Sequence, residues 1–255
     1  MNFGAPLTPS EYETIALAGS PAVRGLFVVL AAVIGGWLFH RDSRGWPFAK
    51  RDRKDLIAIV AAGGLIGAAI PSHFAGGLIA QVSLHGLFFG PNTVIGGIVG
   101  GFLAAAAFKR IKRLEHETGD SFVLGTLAGM ALGRIGCHFG HCCIGRASSS
   151  RFALDFGDNI LRLPTQLIEA AVMGSLLLLF SALHAKGKFA NMRLFLFMMA
   201  YGIVRFVMEF YRAPVATNVL GIGSYQWFAI ALFSLGLFQT VKRRHNFTLQ
   251  ATLDD

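Results

Sequence analysis

Two stretches of this 255-residue chain hold most of the residue types that do chemistry. The first runs from Gly133 to Arg146 and reads GRIGCHFGHCCIGR. It contains all three cysteines of the protein, with His138, His141, Arg134 and Arg146. The second runs from Tyr201 to Pro214 and reads YGIVRFVMEFYRAP. There Arg205, Glu209 and Arg212 recur at i, i+4 and i+7, which places them on one face of a helix. An arginine in or beside a long apolar segment is costly without an anionic partner or access to water. Guanidinium groups bind phosphate oxygens bidentately. Arg134 and Arg205 together therefore suit a lipid phosphate, and Glu209 suits a carboxylate that neutralises or orients Arg205.

Smaller pieces carry weaker signals. Within the first stretch, Cys137 and His141 are four apart, as are His138 and Cys142. Thiolate and imidazole suit zinc or copper(I), so Cys137, His138, His141, Cys142 and Cys143 form a candidate metal set. Two other readings stay open: a disulfide or apolar packing of the thiols, and a reactive thiol. Adjacent Cys142 and Cys143 would make a strained bridge, which favours pairing of either with Cys137. Gly140 weakens a continuous helix through this set. His85, in SLHGL, is a structural histidine or a base poised near neutrality. In PTQLIE, Thr165 suits a helix N-cap with Glu169 in the first turn, and a helix start accounts for both.

The elements that position these residues are apolar. Apolar types make up 54% of the chain and charged types 15%, well below the quarter usual in soluble domains. Seven apolar segments are expected: Pro21 to Phe39, Leu56 to Ile70, Val94 to Phe108, Phe122 to Gly136, Gln166 to Leu183, Leu194 to Phe210 and Tyr225 to Val241. The fold class is an all-α polytopic membrane protein with about seven transmembrane helices, forming one integral membrane domain over residues 1–255. Pro71 to Pro91 is apolar but broken by proline and glycine, a loop or a re-entrant piece. Gly63/Gly67 and Gly96/Gly100 have the small-xxx-small spacing that lets helices approach closely.

Charge placement sets an orientation. Sixteen Lys and Arg lie on one side, in His40 to Asp55, Lys109 to Glu117, Lys186 to Arg193 and Lys242 to Arg244. Four lie on the other: Arg146, Arg151, Arg162 and Arg212. The positive-inside rule predicts an outer N-terminus and a cytoplasmic C-terminus, with His85 and the Gly133–Arg146 stretch on the outer side. The formal charge of +9 sits in the loops that topology demands, which argues against nucleic acid as a partner. The first twenty residues lack the basic start of a cleaved signal peptide, so the first apolar run is expected to stay as a helix.

Taken in order, these pieces resemble the bacterial prolipoprotein diacylglyceryl transferase family. That family's pattern has a His-Gly-Gly-Leu piece, a Gly-Arg-x-Gly-Asn-Phe-x-Asn-x-Glu-x-x-Gly-Arg signature, a Pro-Ser-Gln-x-x-Glu piece and an Arg-x-x-x-Glu-Phe-x-Arg-x-Pro helix. Here they correspond to His85-Gly86-Leu87, Gly133 to Arg146, Pro164 to Glu169, and Arg205 to Pro214, so the likeness covers about residues 83 to 241. The resemblance implies transfer of a diacylglyceryl group from phosphatidylglycerol to a prolipoprotein cysteine thiol, next to its signal peptide, at the outer leaflet of the bacterial inner membrane. It implies Arg134 and Arg205 as phosphate ligands, His85 as the base and Glu209 as the orienting acid. Arg146, Arg212 and Gln166 would help bind substrate, and no cofactor is required.

The chain departs from that pattern inside the signature. Cys137, Gly140 and Cys142 stand where the family has Asn, Asn and Glu, and His138 replaces Phe. The alternative reading is a relative in which Cys137 to Cys143 binds zinc or copper, or does thiol redox chemistry.

Overall fold

The computed structural model describes residues 14–15, 17–75, 93–213, 218–219 and 222–253. Among them are seven long helices: α1 (Pro21–Ser43), α2 (Lys50–Ala75), α3 (Val94–Lys112), α4 (Asp120–Phe139), α5 (Thr165–Ala185), α6 (Arg193–Glu209) and α7 (Ser224–Leu253). The strands are two minimal antiparallel hairpins. β1 (Leu154–Asp155) pairs with β2 (Leu161–Arg162), and β3 (Asn218–Val219) pairs with β4 (Ile222–Gly223). Each apolar segment expected from the sequence coincides with one helix, the sixth overrunning α6 by Phe210. The chain is thus all-α, and α1, α3, α4 and α5 are long and apolar enough to cross a membrane.

Local signals explain where helices start. Pro21 opens α1 with its φ already helical, and Ser20 Oγ accepts from Val23 N–H at 3.4 Å. Thr93 does the same for α3, accepting from Gly96 N–H at 3.3 Å. Along α1 only Gly35 and Ser43 are buried, while Leu26, Val29, Val33 and Trp37 are exposed. An apolar helix with no polar face and so little buried surface is built for lipid rather than water.

The helices group into two compact units. One contains α1, α4, α5 and the last turn of α6, and the other contains α2, α3, most of α6 and α7. In the first unit, α1 packs closely on α4 at glycines that leave no room for a side chain of their own. A Cβ on Gly35 would stand 2.8 Å from the Gly125 carbonyl oxygen, and one on Gly136 2.9 Å from Phe27 Cβ. Phe27 then stacks on Phe139 with ring centroids 5.6 Å apart. In the second unit the Gly63/Gly67 and Gly96/Gly100 pairs meet, as their spacing predicts: a Cβ on Gly67 would stand 2.8 Å from Gly100 Cα.

Candidate functional site

The site in the first unit begins where α4 ends. After Gly140 the chain turns left-handed at His141, φ 49°. His141 N–H donates to His138 O at 3.2 Å, and Cys142 N–H donates back to Cys137 O at 3.1 Å. This pair of bonds is a Schellman motif, with histidine in the left-handed position that glycine usually takes. Its longer bond returns residue 142 over residue 137. Cys143 is left-handed too, φ 58°, and the sulfurs of Cys137, Cys142 and Cys143 all lie within 4.8 Å of one another as free thiols.

Two non-glycine residues at positive φ cost about 1–3 kcal/mol each and persist only where the surroundings over-determine them. Helix α5 supplies that constraint. Gln166 Nε2 donates to Cys142 O at 2.7 Å, and Thr165 Oγ1 donates to Cys143 O at 3.0 Å. Both side chains are fully buried. The N-cap expectation for Thr165 is therefore corrected: Pro164 is the cap, Thr165 is the first helical residue, and its hydroxyl serves the cysteine loop. Gln166, expected among the substrate ligands, donates one of its two amide N–H bonds to the same loop.

Beyond the cysteines the backbone is strapped on two sides. Gly145 bridges Arg212, and Ala147 bridges Arg162 beside the β1–β2 hairpin. Arg146 N–H donates to Tyr211 O at 3.0 Å, and its Nε donates to Arg212 O at the same distance. At least one guanidinium nitrogen of Arg146 thus holds backbone. Gly145 is required because a Cβ there would run into the Leu163 carbonyl oxygen. Beneath the strap, Ile15, Ile144 and Phe156 form a buried apolar cluster against Ala213.

Charge gathers around this loop. Arg134 Nε contacts Glu169 Oε2 at 2.6 Å, with 15% and 5% of the two side chains exposed. Glu169 is three residues from Gln166, so α5 presents both from one face. Cys143 is held well below the usual thiol range. Hydrogen bonds from the Cys137 and Cys142 thiols favour its thiolate, and Arg212 and Arg134 outweigh what is left of the burial cost. Cys142 is pushed up, by its hydrogen bonds to Cys137 and Cys143 and by burial. For Arg212, burial opposes the charge, but Cys143, Glu169 and Glu209 together raise it above the usual value. Two guanidiniums, Arg134 and Arg212, thus share the field of Cys143 and of the Glu169 and Glu209 carboxylates.

The structure brings together only some of the residues expected from sequence. Cys137, Cys142 and Cys143 converge. His138 and His141 do not join them as the i, i+4 spacing suggested, because α4 ends at Phe139. Their rings instead stand edge-on to Phe156, with centroids 5.8 Å and 5.3 Å away. Arg205 belongs to the second unit, buried, with its guanidinium carbon 5.3 Å from the centroid of the Tyr225 ring. Glu209, expected to orient Arg205, also contributes to the field that keeps Arg212 charged. His85 lies outside the described residues. The residue that sequence reasoning missed is Glu169 as the partner of Arg134. The available signal was a glutamate at a helix start, facing the same way as Gln166.

Comparison with known proteins gives consistent matches. The family model for prolipoprotein diacylglyceryl transferase matches residues 20–242, reaching further toward the N-terminus than the motifs alone. A phosphatidylglycerol--prolipoprotein diacylglyceryl transferase of Bordetella bronchiseptica is 30% identical over 203 residues, covering 73% of this chain and 76% of the relative. Enzymes of the same name from Geobacter sulfurreducens and Bordetella avium are 27% and 28% identical. They match 85% and 89% of this chain, and 88% and 93% of their own lengths.

Proposed function

The chain belongs to the prolipoprotein diacylglyceryl transferase family, and from that premise we propose that it moves a diacylglyceryl group from phosphatidylglycerol to a prolipoprotein cysteine thiol. The names of its relatives supply both substrates. The observation that carries the reading is the buried pair of Arg134 and Glu169, 2.6 Å apart. A guanidinium oriented by a fixed carboxylate keeps its remaining N–H groups in one direction, which is what recognition of a phosphodiester needs.

The step balances as a substitution at carbon. The acceptor thiol gives its proton to a base, for which His85 is the family's candidate. The sulfur attacks the sn-3 carbon of the diacylglyceryl group, an S–C bond forms, and the C–O bond to phosphate breaks. The electron pair leaves on glycerol phosphate. Positive charge placed where the leaving phosphate gains charge lowers the barrier, a role the family pattern gives to Arg134 and Arg205, with Arg212 and Arg146 as further substrate-binding candidates.

The topology that suits this reaction has seven spans in the inner membrane, an outer N-terminus and the Gly133–Arg146 stretch on the outer side. The basic loops support it. The test is to incubate purified protein with phosphatidylglycerol and a lipobox peptide, and to follow two products. Thioether peptide and glycerol phosphate in equal amounts support the reading. Glycerol phosphate without thioether means hydrolysis, and neither product means that the family reaction is absent.

A further inference from the structure

We propose that Cys137, Cys142 and Cys143 form a three-thiolate site for one soft d10 cation, zinc(II) or copper(I). The site does not depend on the transfer reading. Its residues stand where the family signature carries Asn, Glu and an unassigned position, so the family chemistry does not account for them.

Three observations carry the proposal. First, all three sulfurs lie within 4.8 Å of one another. Thiolates bound to zinc at about 2.3 Å stand roughly 4 Å apart, so occupancy needs only small side-chain shifts. Second, the loop is built for convergence. The Cys142-to-Cys137 backbone bond of 3.1 Å and the left-handed Cys143 aim residues five and six positions apart at one point. Buried Gln166 and Thr165 then hold the Cys142 and Cys143 carbonyls. Such outer contacts are what fix first-sphere ligands in metal sites. Third, the donor set is all sulfur. His138 and His141 are turned onto Phe156, and soft thiolates without imidazole select zinc or copper(I) over harder cations. A disulfide would use two of the three sulfurs and leave the third unexplained.

Three-coordination satisfies copper(I), whereas zinc bound this way keeps a fourth position for an outside ligand. The experiment is performed on tag-free, reduced, full-length protein in detergent. It is loaded in parallel with zinc chloride and with copper(I), passed over a desalting column, and assayed for bound metal. X-ray absorption at the metal edge then gives the ligands. One equivalent held by three sulfurs supports the proposal, and relative retention of the two metals says which cation the site takes. Replacement Cys137→Ser, Cys142→Ser or Cys143→Ser is expected to weaken binding by about 100-fold or more, since losing even an outer contact costs about 10- to 100-fold.

The variant His141→Gly separates this site from a mixed Cys/His one, because glycine suits the left-handed position and removes the imidazole. Metal retained in His141→Gly agrees with three thiolates. Metal lost there, metal unaffected by the cysteine variants, or no metal taken up by either arm overturns the proposal. Isolation without reductant of a protein with one titratable thiol, which takes up no metal after reduction, also overturns it in favour of a disulfide.

Discussion

Arg134 near the end of α4 and Glu169 near the start of α5 meet at 2.6 Å, and neither side chain is more than 15% exposed. The pair joins two helices at the level of the cysteine loop, and Arg212 shares its field. Arginine and glutamate here are neighbours only in three dimensions, 35 positions apart in the chain.

The first prediction concerns that pair. Glu169→Gln keeps the shape but leaves Arg134 without its carboxylate. Removing one partner of a buried pair costs about 3–5 kcal/mol, and the partial exposure of Arg134 argues for the lower end. A fall in melting temperature is expected by differential scanning fluorimetry. Diacylglyceryl transfer is expected to drop at least tenfold under conditions where the variant remains folded. Full transfer in the variant would mean that Arg134 needs no orienting acid.

The second concerns the support from α5. Gln166→Ala and Thr165→Val each strip a hydrogen bond from a loop carbonyl, at a cost of about 1–3 kcal/mol where that group stays buried. Because the two bonds hold adjacent residues, the double variant is expected to lose more than the sum. Rates of thiol alkylation should rise in both single variants, measured by mass spectrometry of labelled peptides. Unchanged labelling would show that the loop holds itself.

Much of this architecture is visible in the sequence, for physical reasons. The charge-free run from Phe122 to Leu132 lacks the alternating polar positions of a barrel strand, and a helix satisfies its backbone within the membrane. Helix α4 indeed runs from Asp120 to Phe139. Gly67 and Gly100 announce a close crossing because nothing larger than hydrogen fits where backbones touch. The cysteine cluster is not legible in the same way. Helical periodicity pairs Cys137 with His141, but a left-handed turn at His141 replaces that register with a reversal, and the partners become Cys142 and Cys143. Such a turn at a non-glycine residue depends on Gln166 and Thr165, which arrive from another helix. Glu169 is hidden for the same reason. Its own motif, PTQLIE, holds no arginine, and only tertiary packing shows that α4 and α5 bring Glu169 to Arg134.

The third prediction uses the strap. Gly145→Ala would drive a methyl group into the Leu163 carbonyl oxygen, and that oxygen, which accepts from Thr165 N–H at 2.8 Å in a residue whose own N–H donates to Arg146 O, cannot move aside cheaply. Overpacking of this kind costs about 1–3 kcal/mol. The bridge to Arg212 should loosen, so both stability and transfer are expected to fall. Gly133→Ala is the contrast, since a Cβ there meets nothing within 4 Å, and its melting temperature should stay within about 1 kcal/mol of the parent in free-energy terms.

The most direct measurement is transfer of radiolabelled diacylglyceryl from phosphatidylglycerol to a lipobox peptide by the purified protein, its Arg134→Ala variant and its Arg151→Ala variant. Arg151 is exposed and leans on Phe152 at 4.8 Å, so it controls for loss of surface charge. Label in the peptide with the parent and with Arg151→Ala, reduced by about 100-fold or more in Arg134→Ala as for loss of one transition-state charge contact, is the predicted result. Equal transfer by all three proteins, or none by the folded parent, would contradict it.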